Sequence, residues 1–167
     1  DNRFQSLDGQ IKHLPALPQR DTSSVNYQLA ALFAFCKVGE AFTFPEGSMM
    51  NYYEALTKAA DSAGIPSDVL KNTIAFSDSI TAAIMAWSKK DNYAQTRTAS
   101  RYTVVDSPGR WVPTPPMYAS GIEPHWMEIR TFVLDSASEC KPARPPAYNI
   151  GDKKNEYYQR LMEVKNV

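Results

Sequence analysis

Apolar residues recur at helical spacing in three places before residue 90, and then the repeat stops. Val25, Leu29, Leu32, Phe33 and Cys36 share one face of a helix that Thr22-Ser23-Ser24 would start and that Gly39 and Phe42-Thr43-Phe44-Pro45 would end. Met49, Tyr53, Leu56, Ala60 and Ala63 predict a second helix from about residue 46, with Gly64 as its stop and Pro66-Ser67 opening the next segment. Val69, Thr73, Phe76, Ile80, Ile84 and Trp87 predict a third, ending near Lys89-Lys90, whose cations suit a helix C-terminus. Upstream, the prolines of His13-Leu14-Pro15-Ala16-Leu17-Pro18 stand too close together for a helix interior.

From residue 91 to 150 no helical period survives, and eight of the twelve prolines lie between Pro108 and Pro146. Seven aromatic residues, Trp111 and Trp126 among them, predict that the stretch is packed, since floppy loops of this length are rare in compact domains. It reads as an ordered wrap over the helices, with short extended pieces at 102–105 and 131–134. Trp111 and Trp126, each near prolines that stiffen the chain, are expected to be its buried anchors. A last helix follows, with Tyr157, Leu161 and Val164 on one face. So short a helix has little stability alone, so its stripe should dock on the first three helices or on polypeptide beyond residue 167. The fold class is thus all-α: a helical bundle with a long proline-rich ordered wrap between the third and last helices. Residues 1–167 make one domain or the N-terminal part of a larger helical domain. Within it the divisions are an extended arm (1–22), three helices (23–90), the wrap (91–150) and a helix (151–167).

Charge removes one class of function. Eighteen basic residues balance eighteen acidic ones, which argues against a nucleic-acid partner held by surplus cations. Residues 84–167 are mildly basic, with twelve cations against nine anions. No apolar run approaches a membrane span; the longest, Leu29 to Cys36, is cut by Lys37. The chain opens on Asp1 and not Met, which predicts a processed or truncated product.

Candidate chemistry is sparse. His13 and His125 are the two histidines, and Glu123-Pro124-His125-Trp126-Met127-Glu128 puts two carboxylates near one imidazole. Pro124 disfavours a helix there and no second histidine is near in sequence, so a loop histidine bonded to backbone is the simpler reading. No Gly-x-Ser-x-Gly elbow and no Gly-x-Gly phosphate loop occur. The six methionines form no single stripe and read as packing residues. Cys36 lies in an apolar helical pattern and Cys140 in a polar stretch; they are two free thiols or one long-range bridge. Lys141-Pro142-Ala143-Arg144 is the sharpest local candidate for an oxyanion, against a proline-rich connector whose charges face water. No catalytic, cofactor-binding or metal residue is assigned within the chain.

An ordered set of motifs points further. Ile84-Met85-Ala86-Trp87-Ser88-Lys89-Lys90-Asp91, Trp111-Val112-Pro113-Thr114-Pro115-Pro116, Glu123-Pro124-His125-Trp126, Arg130-Thr131-Phe132-Val133-Leu134, Arg144-Pro145-Pro146 and the closing Tyr157–Val164 occur in that order. Over residues 69–165 this resembles the N-terminal half of bacterial vanadium-dependent haloperoxidase-like proteins of the type-2 phosphatidic acid phosphatase superfamily. The resemblance implies an all-α bundle. It also implies an oxyanion pocket built from a Lys with Arg-Pro roughly seven residues on, a Pro-Ser-Gly-His, and a late Arg with a His. Those blocks do not occur here: Lys141 and Arg144 stand three apart, and there is no Ser-Gly-His. No site residue is carried over.

Two functions follow as expectations. The first is the N-terminal portion of an exported, periplasmic or cell-surface bacterial enzyme, an acid phosphatase or vanadium haloperoxidase. This chain would be scaffold and pocket wall, its partner the C-terminal catalytic half of the same precursor. Vanadate would be a cofactor of the complete enzyme and not of this chain, which alone would be inactive. The second is a non-catalytic helical interaction module or glycan-binding surface module.

Overall fold

The computed structural model describes residues 5, 7, 9–19, 24–43 and 47–167. Two compact units divide the chain, Asp1–Asn92 and Tyr93–Val167. Among the described residues there are five α-helices and no strand: α1 (Tyr27–Phe42), α2 (Ser48–Ser62), α3 (Ser67–Ser88), α4 (Tyr93–Thr98) and α5 (Glu156–Lys165). The all-α expectation is thereby met. The pieces at 102–105 and 131–134 join no sheet.

In the first unit α1 packs against both α2 and α3. Its start falls later than the Thr22-Ser23-Ser24 signal, of which Thr22 and Ser23 lie outside the described residues. Asn26 is the cap instead, its Oδ1 accepting the Leu29 N–H at 3.0 Å. Gly39 does not stop the helix. It lies inside α1 beside the Met49 side chain, and Thr43 closes the end by donating both its N–H and its hydroxyl to the Gly39 carbonyl.

The end of α2 follows from one glycine. Gly64 sits at φ +78°, where an L side chain is strained, its N–H bonds the Asp61 carbonyl, and Ile65 N–H bonds the Ala60 carbonyl. Pro66 then caps α3, needing no N–H of its own.

The core of this unit is small and partly polar: Ala30, Phe33, Ala34 and Cys36 on α1, Ala60 on α2, Thr73 and Ser77 on α3. Small side chains at a helix crossing let the axes come close. The two buried hydroxyls cost nothing unpaired, since Thr73 donates to the Val69 carbonyl and Ser77 to the Ile74 carbonyl, both at 2.7 Å. The rings of Tyr27 and Phe76 meet edge to face at 5.3 Å and those of Phe33 and Tyr53 lie 4.8 Å apart. Lys37 reaches over the Tyr53 ring and pairs with Asp78. The arm is tied down where Trp87 Nε1–H donates to the Lys12 carbonyl at 3.2 Å.

In the second unit, residues expected to be a continuous wrap contain a helix, α4, and two 3-10 turns, Trp126–Glu128 and Ala137–Cys140. The second turn is closed by a capping box between Ser136 and Glu139. Gly109, at φ +78°, makes a tight turn under Tyr148; a Cβ there would stand 2.9 Å from that of Tyr148. Pro115-Pro116 is a cis bond. The Tyr148 ring meets Tyr157 at 5.1 Å, and Asn155 caps α5 through the Tyr157 N–H. On α5, Leu161 and Val164 are exposed.

Candidate functional site

The polar groups of the second unit converge where α4 ends. Thr96 is buried and turns its hydroxyl back to the Tyr93 carbonyl at 2.8 Å, which closes the short helix locally. Arg97 lies over the Tyr93 ring and pairs with Glu123, far along the chain. Glu123 has φ +50°, a conformation that costs a non-glycine residue on the order of 1–3 kcal/mol and that its ion pair helps hold. His125 comes next. Its Nδ1 is 2.7 Å from Glu128 Oε1 and its Nε2 is 2.9 Å from the Ser100 carbonyl oxygen. The hydrogen bond to Glu128, the one to Ser100 and the Glu128 charge raise its pKa above the ordinary histidine value, against a smaller lowering by burial.

Between these tied ends runs residues 101–122, and it carries a groove. Trp111, Thr114, Pro116, Met117, Ala119, Ser120, Gly121 and Ile122 line an open cavity of about 460 Å³. The Trp111 ring rests edge-on against Tyr102 at 5.4 Å. Tyr102 in turn lies so close over Gly121 that a Cβ there would sit 3.0 Å from the tyrosine Cβ. Tyr118 N–H bonds the Thr114 carbonyl at 3.0 Å and closes the turn that carries Pro116 and Met117.

The tryptophans correct the sequence reading. Trp111 is 49% exposed and Trp126 is 60% exposed, so neither is a buried anchor within this chain. Proline stiffening holds the backbone beside them without supplying a core to receive the rings. Met117 and Met127, read as packing residues, are also exposed.

The other sequence candidates do not assemble. Glu123 pairs with Arg97 and Glu128 with His125, and among the described residues no three His, Cys, Asp or Glu side chains group as metal ligands. His13 lies exposed in the arm at φ +56°. Cys36 and Cys140 are free thiols, the first buried, with its thiol pKa pushed up by burial, and the second exposed. Lys141 and Arg144 stand in exposed chain after the second 3-10 turn. A phosphate or vanadate cradle needs donors converging in a pocket that excludes water, and this pair does not fit one. Glu123, His125 and Glu128 stand out in the sequence as candidate chemistry; Arg97, Ser100, Tyr102 and Gly121 do not. The Ser100 partner is a backbone carbonyl, for which no residue type is a signal.

The folded chain is vanadium haloperoxidase-like, a relationship shown by its likeness to a solved structure. That structure is the crystal structure of the first bacterial vanadium-dependent iodoperoxidase, with a TM-score of 0.85 and 41% sequence identity over 96% of this chain. The chain spans 39% of the iodoperoxidase's length. No protein-family model matches the chain, and no curated protein does. Among the described residues no helix is long and apolar enough to cross a membrane.

Proposed function

We propose that this chain is the N-terminal portion of an exported, periplasmic bacterial enzyme of the acid-phosphatase and vanadium-haloperoxidase kind, either hydrolase or oxidoreductase. The observation that carries the reading is the 41% identity over nearly the whole chain to an iodoperoxidase of which the chain spans only 39%. In this reading the three-helix unit and the proline-rich unit are scaffold and wall. The oxyanion-binding half belongs to further polypeptide, as one precursor or as a separate chain. Vanadate, if the enzyme uses it, is held there and would supply peroxide activation; Lys141 and Arg144 take no part in it.

The test compares two preparations. The purified 167-residue chain, given orthovanadate, peroxide and iodide, or a phosphate ester, should be inert, because transition-state stabilisation at an oxyanion needs the missing clamp. The coding sequence extended past Val167 should be active in one of the two assays. Robust turnover by the 167-residue chain, lost in Lys141→Ala or Arg144→Ala, would overturn the reading.

A second reading, a non-catalytic glycan-binding module, draws on one observation: a half-exposed Trp111 beside an open groove that also presents Thr114 and Ser120. Quenching or enhancement of tryptophan fluorescence by oligosaccharides, abolished in Trp111→Ala, would favour it.

A further inference from the structure

We propose that His125 is a pH-dependent clasp at the base of the loop 101–122, closing the loop when its ring carries two protons and loosening it when one is lost. The geometry is the ground for this. Two segments far apart in sequence, 97–100 and 123–128, are joined by the Arg97–Glu123 ion pair and by the imidazole of His125, which bridges the Ser100 carbonyl and the Glu128 carboxylate.

Both partners of the ring are acceptors. A carbonyl and a carboxylate have no hydrogen to give, and a neutral imidazole has one N–H. In either neutral tautomer one ring nitrogen therefore turns a lone pair toward an oxygen lone pair at under 3 Å. The imidazolium donates to both and sets its positive charge beside Glu128. The charged and titratable groups around it are mixed. α4 brings Tyr93 and Arg97, the latter already paired with Glu123; the second 3-10 turn brings Glu139, bonded to the Ser136 N–H, and Cys140. Arg101 and Arg130 stand in the flanking chain. Glu128 is the group in direct contact, and its sign favours the doubly protonated ring.

The clasp acts on what lies between its ends. The loop holds its own interior through the Tyr102–Trp111 ring contact, the Thr114–Tyr118 turn and the close approach of Tyr102 to Gly121. Loss of the Ser100–His125 bond leaves that interior in place and frees the base. The groove residues then move as a panel still held at the Arg97–Glu123 pair. Acid fixes the panel and alkali releases it, whatever the chain's activity.

Nuclear magnetic resonance on the full 167-residue chain tests this. The Cε1–H resonance of His125, distinguished from that of His13 by the His125→Gln variant, should titrate with a midpoint above that of an ordinary histidine. Amides of Ser100, Arg101, Tyr102, Glu123 and Trp126 should shift with the same midpoint. After correction for the intrinsic rate, their hydrogen-exchange protection should fall across it. Glu128→Gln should lower the midpoint. A midpoint at or below the ordinary histidine value, or base amides that ignore the titration, would overturn the clasp. The amide shifts and the exchange protection come from the unaltered chain, so they decide even if a variant fails to fold. A Glu128→Gln midpoint equal to that of the unaltered chain would also count against it.

Discussion

Asn26 and Thr73 lock the first helix to the third: the Asn26 N–H, left without a helical partner at the start of α1, donates to Thr73 Oγ1 at 3.0 Å. The same hydroxyl passes its own proton to the Val69 carbonyl. A helix terminus is thus satisfied by a buried side chain of its neighbour, and the pair fixes where α1 begins.

Thr73→Val keeps the shape and removes the acceptor. Its cost should be about 1–3 kcal/mol, because a partly buried N–H is left unmet. Thr73→Ser should recover most of the loss, and Asn26→Ala should cost about 0.5–2 kcal/mol through the cap. Denaturant unfolding of the three variants checks all of these.

Gly64 and Gly109 share the same backbone angle but not the same surroundings. A Cβ at Gly64 meets nothing within 4 Å, whereas one at Gly109 strikes Tyr148 at 2.9 Å. Gly64→Ala should cost about 1–2 kcal/mol from the left-handed conformation alone. Gly109→Ala should add a clash to that and disturb the Tyr148–Tyr157 ring contact, visible in near-ultraviolet circular dichroism.

Phe33 and Trp111 test the difference between a core and a surface. Phe33 is 0% exposed, so Phe33→Ala should cost about 3–5 kcal/mol. Trp111→Ala should cost about 1–2 kcal/mol, since roughly half the ring has no burial to lose. Equal losses in thermal unfolding would show that Trp111 is covered in solution.

The pH dependence of stability has a definite sign. The folded state raises the His125 pKa, so the native protein holds the proton more tightly than the unfolded chain. The resulting stabilisation is complete below the unfolded value of about 6.5. It is lost as pH rises through the higher folded value. Melting temperatures taken across that window at constant ionic strength should fall toward alkali, and His125→Gln should flatten the trend.

Much of the first unit was legible in the sequence because its signals are local. The Gly64–Pro66 punctuation and the apolar spacing of α2 and α3 appear where expected. The start of α1 was not, because its cap is completed by Thr73, which only the fold brings near. In the second unit α4 leaves no signal, being a helix of six residues, too few to show a period. The site was half legible. Glu123, His125 and Glu128 are close in sequence, but Arg97 and the Ser100 carbonyl come from across the loop. The tryptophans misled because aromatic content predicts that a stretch has something to bury, not that this chain buries it.

Among the described residues from Tyr93 to Val167, only Thr96 is buried. This part of the chain is therefore kept in shape by fixed proline angles, turn hydrogen bonds and ring contacts, with little apolar surface withheld from water. The heat-capacity change of unfolding scales with the apolar surface released. The three-helix unit should supply nearly all the curvature in the dependence of stability on temperature, while Tyr93–Val167 loosens almost linearly on warming. Its sensitivity to urea should be correspondingly shallow, since that slope also tracks newly exposed area. The two parts of one chain then answer heat and denaturant by different laws.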